Sequence, residues 1–345
     1  MSKKILNVTI MDYANIGNRL QNYAVYRTLE KYGVETKDEI RLWKNIAREI
    51  LKMLPGWFPF LKRRYRLFLK FSSNISMIHR NIDFENYKFI FYGSDQIWNP
   101  EFGHQDCIAP DSPKKKNVAL SASIGSNYIP KERLEEYREG LLKFQYISVR
   151  EERAAELVDE LIGIKPEVLI DPTLSLSKEE WIKVEKRPCF KKVKSLENEK
   201  YILLYFLGKM SPERSNAIQN LAEKLKAQIV DLTCKDIVKA TGPSEFIWLI
   251  HHSSMVITDS YHGSIFSFIF DKPFYILDRE GDWFTMSMNS RFDTLFQKFG
   301  LYDRKSNDIV NYTEQHDYTQ AYVLLKKERK KYFAFIYHIM EEKNR

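Results

Sequence analysis

A histidine in a crowded polar turn is the first residue of this sequence that could do chemistry. His262 lies in the stretch DSYHGS, residues 259–264, directly after an apolar run, and its neighbours Ser260, Gly263 and Ser264 are candidate substrate-binding residues. A lone histidine is more often structural, but so many polar groups in one turn make a poor core element and favour a functional site. At a helix N-terminus the cationic imidazole is disfavoured unless an anion compensates, and a bound phosphate would make His262 a usable proton donor.

Two charged residues that follow other apolar runs could complete such a site. Arg150 closes the run 146–149, and its planar guanidinium suits a phosphate or a carboxylate. The alternative for Arg150 is an ion pair with Glu151 or Glu152. Asp95 could act as a general base or simply cap a following helix, and the local sequence does not separate these two roles.

The remaining candidates for substrate binding are polar residues in turns of the same type. The turn at residues 15–18 follows the first apolar run and would offer backbone N–H groups to an anion. It is neither a P-loop nor a dinucleotide fingerprint, so a turn without a ligand stays open as the alternative. Similar turns occur at residues 93–96 and 121–125. The candidates in these three turns are Asn18, Arg19, Ser94, Gln96 and Ser123.

The position of all these residues depends on alternating strands and helices. Apolar, β-branched runs alternate with amphipathic stretches, which predicts an α/β fold built from βαβ units and parallel sheets. The expected strands are residues 4–11, 89–92, 117–120, 146–149, 167–170, 201–207, 229–232, 255–258 and 274–277. Ligands of such sheets bind outside the carboxyl ends of the strands. The candidate residues should therefore line one cleft if the two halves of the chain face each other.

A basic, polar stretch at residues 186–200 separates the two series of strands. We therefore expect an N-terminal Rossmann-like domain over residues 1–176 and a C-terminal Rossmann-like domain over residues 177–318. A long helix over residues 319–345 follows, and we expect it to pack back on the first domain.

Composition limits the classes of protein and partner. The chain of 345 residues has 54 basic and 46 acidic residues, a net charge of +8 that fits an anionic partner and fits a merely solvated basic surface equally well. Its apolar runs are too short for a membrane helix, its N-terminus lacks a signal-peptide core, and its three cysteines lie far apart. We therefore expect a cytoplasmic protein without disulfide bonds.

The sequence also lacks the common motifs of metal sites. It contains no Asp-x-Asp, His-Glu-x-x-His or Cys-x-x-Cys pattern, so we expect neither a metal site nor a cofactor. His251 and His252 lie at the end of an expected helix, where they would interact with the helix dipole rather than ligate a metal.

One segment, from Trp57 to Phe71, is both aromatic and basic. Its apolar side chains could rest on a membrane while its lysines and arginines contact anionic lipids, so a peripheral contact with the inner face of the cell membrane is one interpretation. The alternative is that the aromatic side chains pack on the first domain and the basic ones are solvated.

Six segments together resemble the polysaccharide pyruvyl transferase family. They occur in the order of the family, over roughly residues 5–280, and no single one is decisive. The segments are GNRLQNYA at 17–24, YGSDQIWN at 92–99, SASIG at 121–125, ISVREE at 147–152, IDPTL at 170–174 and DSYHG at 259–263.

The resemblance implies a fold similar to GT-B glycosyltransferases, with two Rossmann-like domains facing across a cleft. It also implies transfer of pyruvate from phosphoenolpyruvate to two hydroxyls of one sugar, in a surface polysaccharide or its lipid-linked precursor, which forms a cyclic ketal. In that family a histidine matching His262 is the general acid and an arginine matching Arg150 is a phosphate ligand. Asp95 would accept the proton of the sugar hydroxyl.

One departure from the family concerns how the donor is held. Some members carry an arginine two residues before the histidine, where this chain has Ser260. Arg19 or Lys272 are candidates to compensate for it. Two alternatives stay open: a GT-B glycosyltransferase that uses a nucleotide sugar, and a non-catalytic sugar-binding component of a polysaccharide assembly complex. A nucleic-acid partner is not expected.

Overall fold

Two parallel sheets form the framework of the protein. The computed structural model describes residues 4–10, 12–38, 59–78, 82–101, 108, 110, 112–190, 195–280 and 290–341, without the side chains of residues 38, 59–62 and 195. The strands of the first sheet are β1 Lys4–Thr9, β2 Val34–Asp38, β3 Met77–Ile78, β4 Tyr87–Gly93, β5 Asn117–Ala122, β6 Tyr146–Val149 and β7 Glu167–Val168. The strands of the second are β8 Tyr201–Tyr205, β9 Gln228–Asp231, β10 Met255–Thr258 and β11 Phe274–Ile276.

The order of the strands gives each sheet one point where the connections change direction. The first sheet has the order β3-β2-β1-β4-β5-β6-β7 and the second β11-β10-β8-β9. The pairings between the named strands are parallel. The direction changes between β1 and β4 in the first sheet and between β8 and β10 in the second. Ligands of open α/β sheets bind at such points, outside the carboxyl ends of the strands.

Helices connect the strands, and among the described residues four of them begin at a residue whose side chain caps the helix. Ser177 and Glu180 form a capping box, which the sequence SKEE at residues 177–180 predicts, and Ser211 caps a helix that has Pro212 in its first turn. The helices are α1 Ile16–Leu29, α2 Pro59–Ser72, α3 Leu134–Leu141, α4 Glu152–Ile162, α5 Lys178–Ile182, α6 Pro212–Leu225, α7 Lys235–Val238, α8 Pro243–His252, α9 Tyr261–Ile269, α10 Ser290–Phe299 and α11 Thr319–Glu341. The strands β2 and β3 and the helices α7 and α10 were not expected from the sequence.

A continuous apolar core joins the two halves of the chain. Trp181 of α5 is completely buried, and its ring lies 5.5 Å from that of Tyr23 in α1 and 4.8 Å from that of Phe266 in α9. Its indole N–H donates to the carbonyl of Thr173 at 3.2 Å. The two sheets lie on either side of the expected boundary at residue 176, and the domain limits themselves stay a prediction.

The last helix packs back on the first half of the chain, as expected. In α11, Arg329 donates to the carbonyls of Leu174 and Leu176, both at 2.6 Å. Near its end, the carbonyl of Met340 accepts from Lys88 of β4 at 2.9 Å. These bonds attach the C-terminal helix to the sheet formed by the N-terminal residues.

The interpretation that the apolar side chains from Trp57 to Phe71 rest on a membrane is wrong for part of this segment. Phe68 and Phe71 of α2 are buried in the shared core, so they pack on the protein as in the alternative interpretation. Trp57 and Phe58, and the side chains of residues 59–62, lie outside the described residues.

The other side of α2 braces the turn that follows β1. Arg64 donates to the carbonyl of Ala14 at 3.0 Å, and the ring of Tyr65 lies 5.3 Å from that of Tyr13. Part of the predicted membrane segment thus supports the loop that precedes α1. Within the described ranges, no helix combines the length and hydropathy needed to cross a bilayer.

We expect Trp181→Ala to lower the free energy of unfolding by about 3–5 kcal/mol, because it empties a fully buried aromatic position and leaves the Thr173 carbonyl without its donor. Urea unfolding monitored by circular dichroism measures this. Tyr128→Ala, at a side chain that is 56% exposed, is the control and should change stability by less than about 0.5 kcal/mol. An unchanged midpoint for Trp181→Ala would contradict the shared core.

Candidate active site

The loops after β1 and β4 meet through Asn18. The side chain of Asn15 caps α1 by accepting from the Asn18 backbone N–H at 3.1 Å. The Asn18 amide oxygen accepts from the backbone N–H of Asp12 at 2.8 Å, and its amide nitrogen donates to Asp95 Oδ2 at 2.7 Å. Asn18 is therefore oriented by one loop and fixes a carboxylate of the other, at the change of direction in the first sheet.

Asp95 does not have the helix-capping role that the sequence left open. Its backbone lies in the left-handed region, with φ of 71°, and no helix begins in the described residues 96–101. Its other oxygen, Oδ1, lies 3.9 Å from Nη2 of Arg150, and its side chain is 14% exposed. The general-base interpretation of Asp95 stays a prediction that this position allows.

Ser94 and Gln21 form a buried bridge beneath Asp95. The Gln21 amide donates to Ser94 Oγ at 2.6 Å and to Asp171 Oδ2 at 3.2 Å, while Ser94 Oγ donates to the Ser121 carbonyl at 3.0 Å. Ser94 has no exposed surface, so its hydroxyl positions Gln21 in this structure.

Arg150 is the centre of the buried charges. Its Nη1 donates to Asp171 Oδ2 at 2.6 Å, and both side chains are completely buried. Burial alone would lower the pKa of Arg150, but the Asp171 carboxylate and then Glu151 raise it. The ion pair with Glu151 that the sequence left open exists only at 3.6 Å, while Nε and Nη2 of Arg150 make no hydrogen bond.

Asp171 was not among the candidate residues, although it follows β7. Its Oδ1 accepts from the backbone N–H of Thr173 at 2.9 Å and from the Thr173 hydroxyl at 2.6 Å. Burial by itself would raise the pKa of Asp171, but Arg150, His262 and the Thr173 bonds together hold it below its usual range. Asp171 is thus a fixed anion between an arginine and a histidine.

His262 reaches this cluster from the second half of the chain. It lies in the first turn of α9, its Nε2 is 3.8 Å from Asp171 Oδ2, and the residue is 9% exposed. A Cβ atom at Gly17 would overlap the imidazole ring, so a glycine there lets the N-terminus of α1 approach it. Burial lowers the pKa of His262, and Arg150 and Arg291 add to this, while Asp171 and Asp95 oppose it.

The residues around His262 build the start of α9. Ser260 caps the helix by accepting from the Gly263 N–H at 3.3 Å, and Ser264 Oγ donates to the Tyr261 carbonyl at 2.8 Å. Gly263 lies so close to Thr258 that an added Cβ would be 2.6 Å from its hydroxyl oxygen. Ser260, Gly263 and Ser264 therefore position His262, and their contact with a substrate stays a prediction.

Two of the predicted binding residues, Ser123 and Gln96, form hydrogen bonds with charged side chains of the protein. The Ser123 hydroxyl donates to Oε1 of buried Glu151 at 2.7 Å, and the Gly125 N–H donates to the same oxygen at 2.9 Å. With its amide oxygen turned toward Arg291, Gln96 accepts from both terminal guanidinium nitrogens, at 2.8 and 2.9 Å.

Arg291 is a member of the cluster that the sequence did not reveal. It lies in the first turn of α10, and its guanidinium carbon is 5.3 Å from the centre of the Tyr261 ring. The Arg150 guanidinium carbon lies 5.2 Å from the centre of the same ring. Burial and the nearby Arg150 lower the pKa of Arg291 to about 10. No motif precedes α10, so no pattern in the sequence singled out this arginine.

The two residues expected to compensate for Ser260 have different positions. The guanidinium carbon of Arg19 lies 3.9 Å from the centre of the Tyr13 ring, and Arg19 is buried. Lys272 follows the C-terminus of α9, roughly 13 Å along the helix axis from the turn that carries His262. Lys272 is therefore too far from His262 to hold a donor together with it, and the expectation for Lys272 is wrong.

The second sheet carries its own carboxylate where its connections change direction. Asp259, which follows β10, accepts from the backbone N–H groups of Leu207 and Gly208 at 2.7 and 2.8 Å. Its Oδ2 also accepts from Arg279 at 3.2 Å. These N–H groups, which could otherwise face an anionic ligand, are occupied by the protein's own anion.

One group of side chains in the described residues could present ligands to a metal ion. Glu185, His251 and His252 bring ligand atoms within 4.8 Å of one another. His251 Nδ1 lies 2.9 Å from Glu185 Oε2, and His252 Nδ1 lies 2.9 Å from the Trp248 carbonyl at the end of α8. None of the three belongs to the cluster around His262.

Two solved structures of similar fold are UDP-N-acetylglucosamine 2-epimerases. UDP-N-acetylglucosamine 2-epimerase from Rickettsia bellii superposes with a TM-score of 0.51 at 11% identity, over 98% of this chain and 99% of that one. The UDP-GlcNAc 2-epimerase from Neisseria meningitidis gives 0.46 at 13% identity, over 95% of this chain and 100% of that one. At such identities the likeness concerns the fold alone, which is the expected GT-B arrangement of two Rossmann-like units.

Comparison of the sequence with curated proteins gives no match. The model of a protein family, however, matches residues 15–281, which is most of the chain and includes the turn before α1, Asp95, Arg150, Asp171 and His262. With the ordered motifs, the two sheets and the buried cluster between them, this match shows that the chain belongs to the polysaccharide pyruvyl transferase family.

Proposed function

We propose that this chain transfers the pyruvyl group of phosphoenolpyruvate to two hydroxyls of one sugar, in a surface polysaccharide or its lipid-linked precursor, and forms a cyclic ketal. The observation that carries the proposal is the buried cluster in which His262 of one half lies 3.8 Å from Asp171 of the other, beside Arg150. An acid held against a fixed anion and a guanidinium fits a reaction in which a small anionic donor is protonated.

The donor requires cations because it carries a phosphate and a carboxylate. Within the described residues, Nε and Nη2 of Arg150 make no hydrogen bond, so both could donate to a ligand oxygen. The N-terminus of α1, which touches His262 through Gly17, supplies backbone N–H groups of the same polarity. Phosphoenolpyruvate acts as a substrate, so the proposed reaction needs no cofactor.

The proposed chemistry balances over one turnover. His262 donates its proton to the methylene carbon of the donor, which becomes a methyl group, and the neighbouring carbon becomes electrophilic. One sugar hydroxyl attacks that carbon and passes its proton to Asp95. Inorganic phosphate leaves with its C–O bond electrons, and the second hydroxyl closes the ketal and gives its proton to the phosphate. Asp95 then releases its proton to solvent and His262 takes one up, so both residues return to their starting states.

Binding of phosphoenolpyruvate would itself favour the protonated form of His262. In the free protein, burial holds the pKa of His262 below its ordinary value, which disfavours the imidazolium. An anionic donor beside the ring stabilises the positive charge and raises that pKa. His262 would then become protonated only when phosphoenolpyruvate is bound beside it.

The nucleotide-sugar alternative has less support. A nucleotide diphosphate bound at the second sheet would require free backbone N–H groups after β8, but Asp259 already accepts from those of Leu207 and Gly208. The non-catalytic alternative gives no reason to bury an imidazole, a carboxylate and a guanidinium together, since each loses its hydration on burial.

The acceptor is a glycan, and we propose that its lipid-linked form brings the enzyme to the cytoplasmic face of a membrane. Arg66, Leu69 and Lys70 of α2 are exposed and could take part in such a contact, although Phe68 cannot. Electrostatic attraction of basic residues to anionic lipids would hold the protein there reversibly.

His262→Ala should reduce turnover at least about a hundredfold, because a positioned general acid contributes at least that much. The assay incubates the protein with phosphoenolpyruvate and a panel of acceptor glycans, follows phosphate release and identifies the ketal by mass spectrometry. His252→Ala, an exposed histidine outside the cluster, is the control and should keep full activity. Near-normal turnover of His262→Ala would remove the assigned acid, and no ketal from the wild-type protein with any acceptor would refute the function.

Asp171→Asn should move the loss of activity to lower pH. His262 must be protonated to act, so activity falls as the pH rises through its pKa in the donor complex. Asn removes a negative charge 3.8 Å from Nε2, which lowers that pKa and shifts the falling limb to more acidic values. Profiles of kcat against pH for both proteins give the shift, with Asp231→Asn as a remote control. A limb that stays in place, or moves to higher pH, contradicts the coupling.

Vesicles that contain anionic lipid should retain the protein at low salt and release it at high salt, because the Debye length falls to about 3 Å at 1 M salt. Replacement of Arg63, Arg66 and Lys70 by Gln should weaken this co-sedimentation, whereas replacement of the distant Lys114 and Lys115 should not. Equal recovery with neutral and anionic vesicles would refute membrane contact and leave the catalytic proposal untouched.

A further inference from the structure

Arg291 is a buried cation that has no carboxylate partner among the described residues. It is 8% exposed, and among the described residues no carboxylate oxygen lies within the 4.0 Å of an ion pair. Its terminal nitrogens face the neutral amide oxygen of Gln96, and its Nε makes no hydrogen bond. A buried guanidinium loses its hydration, so an arrangement of this kind is stable only when another anion completes it.

A comparison with Arg150 shows which partner Arg291 lacks among the described residues. Both guanidinium groups lie near the ring of Tyr261, at 5.2 Å for Arg150 and 5.3 Å for Arg291. Arg150 is neutralised by Asp171 at 2.6 Å, with Glu151 and Asp95 at 3.6 and 3.9 Å. Of these two similar cations beside one aromatic ring, only Arg150 has a carboxylate within ion-pair distance among the described residues.

Ser260 explains why a second cation is needed at this place. The serine hydroxyl caps α9 by accepting from the Gly263 N–H, and it brings no charge to the donor. Arg291 reaches the same neighbourhood from a different element, because Tyr261, whose ring it approaches, is the residue between Ser260 and His262.

We propose that Arg291 binds one of the two anionic groups of the donor and so replaces the arginine that some members of the family carry two residues before the histidine. The inference rests on the proposed function, since the donor is phosphoenolpyruvate. The planar fork of Arg291 matches a carboxylate or a phosphate with two parallel hydrogen bonds, and Gln96 and Tyr261 hold the fork in place.

The experiment measures binding of phosphoenolpyruvate by calorimetry, in the absence of acceptor, for the wild-type protein, Arg291→Gln and Arg291→Lys. We expect at least a tenfold higher Kd for Arg291→Gln, because a hydrogen-bonded charge pair is lost. Lysine keeps the charge without the fork, so Arg291→Lys should fall between the two. In steady-state assays the KM for the donor should rise and the KM for the acceptor should stay unchanged.

Arg304→Gln is the matched control, since Arg304 is also 8% exposed and also lies near an aromatic ring, that of Tyr275. It should bind the donor within twofold of wild type, and thermal unfolding reports whether the variants are folded. If Arg291→Gln is insoluble, the threefold or larger loss expected for Arg291→Lys decides the question.

Two results would overturn the inference while the proposed function stands. One is wild-type affinity for phosphoenolpyruvate in the Arg291 variants, and the other is an equal loss in Arg304→Gln. A wild-type protein that neither binds phosphoenolpyruvate nor releases phosphate from it would instead refute the proposed function, and this inference with it.

Discussion

The ion pair between Arg150 and Asp171 is the interaction on which the site depends. Both side chains are completely buried, so each loses its hydration and needs the other at 2.6 Å together with further hydrogen bonds. Thr173 and Gln21 supply those bonds to Asp171. Removal of one partner of such a pair leaves a buried charge and typically destabilises a protein by about 3–5 kcal/mol. The pair therefore fixes the strand ends of the first sheet around it.

The second half of the chain is built to reach that pair. The N-termini of α1 and α9 approach each other until the imidazole of His262 packs on Gly17, where any larger residue would overlap the ring. The hydroxyls of Ser260 and Ser264 form hydrogen bonds within the first turn of α9, and these bonds orient His262 toward Asp171. A shared core through Trp181 keeps the two halves in register. The imidazole of His262 and the carboxylate of Asp171 thus come from different halves, and the packing between the halves decides their distance.

Burial also separates structural from chemical roles among similar residues. Ser94 and Ser123 follow their strands as expected, yet both donate inside the protein, to a carbonyl and to Glu151. Where the connections of the second sheet change direction, the Asp259 carboxylate accepts the backbone N–H groups that could otherwise bind a ligand. Phe68, which one interpretation of the sequence placed beside a membrane, lies in the core because α2 packs between α1 and α8. A polar or aromatic residue type alone does not show which of these uses the fold makes of it.

The sequence by itself determined most of the elements and which polar residues lie at their ends. Periodicity, caps and strand-end residues predicted the alternating fold, the capping box at Ser177, and the positions of His262, Arg150 and Asp95. It missed β2, whose charged residues are stabilised as a strand only by pairing with β1 and β3. It gave Asp171 no role in the site and missed Arg291. Only the tertiary structure decided these, because electrostatic contacts act through space and residues 95, 150, 171, 262 and 291 become neighbours only when both halves fold together.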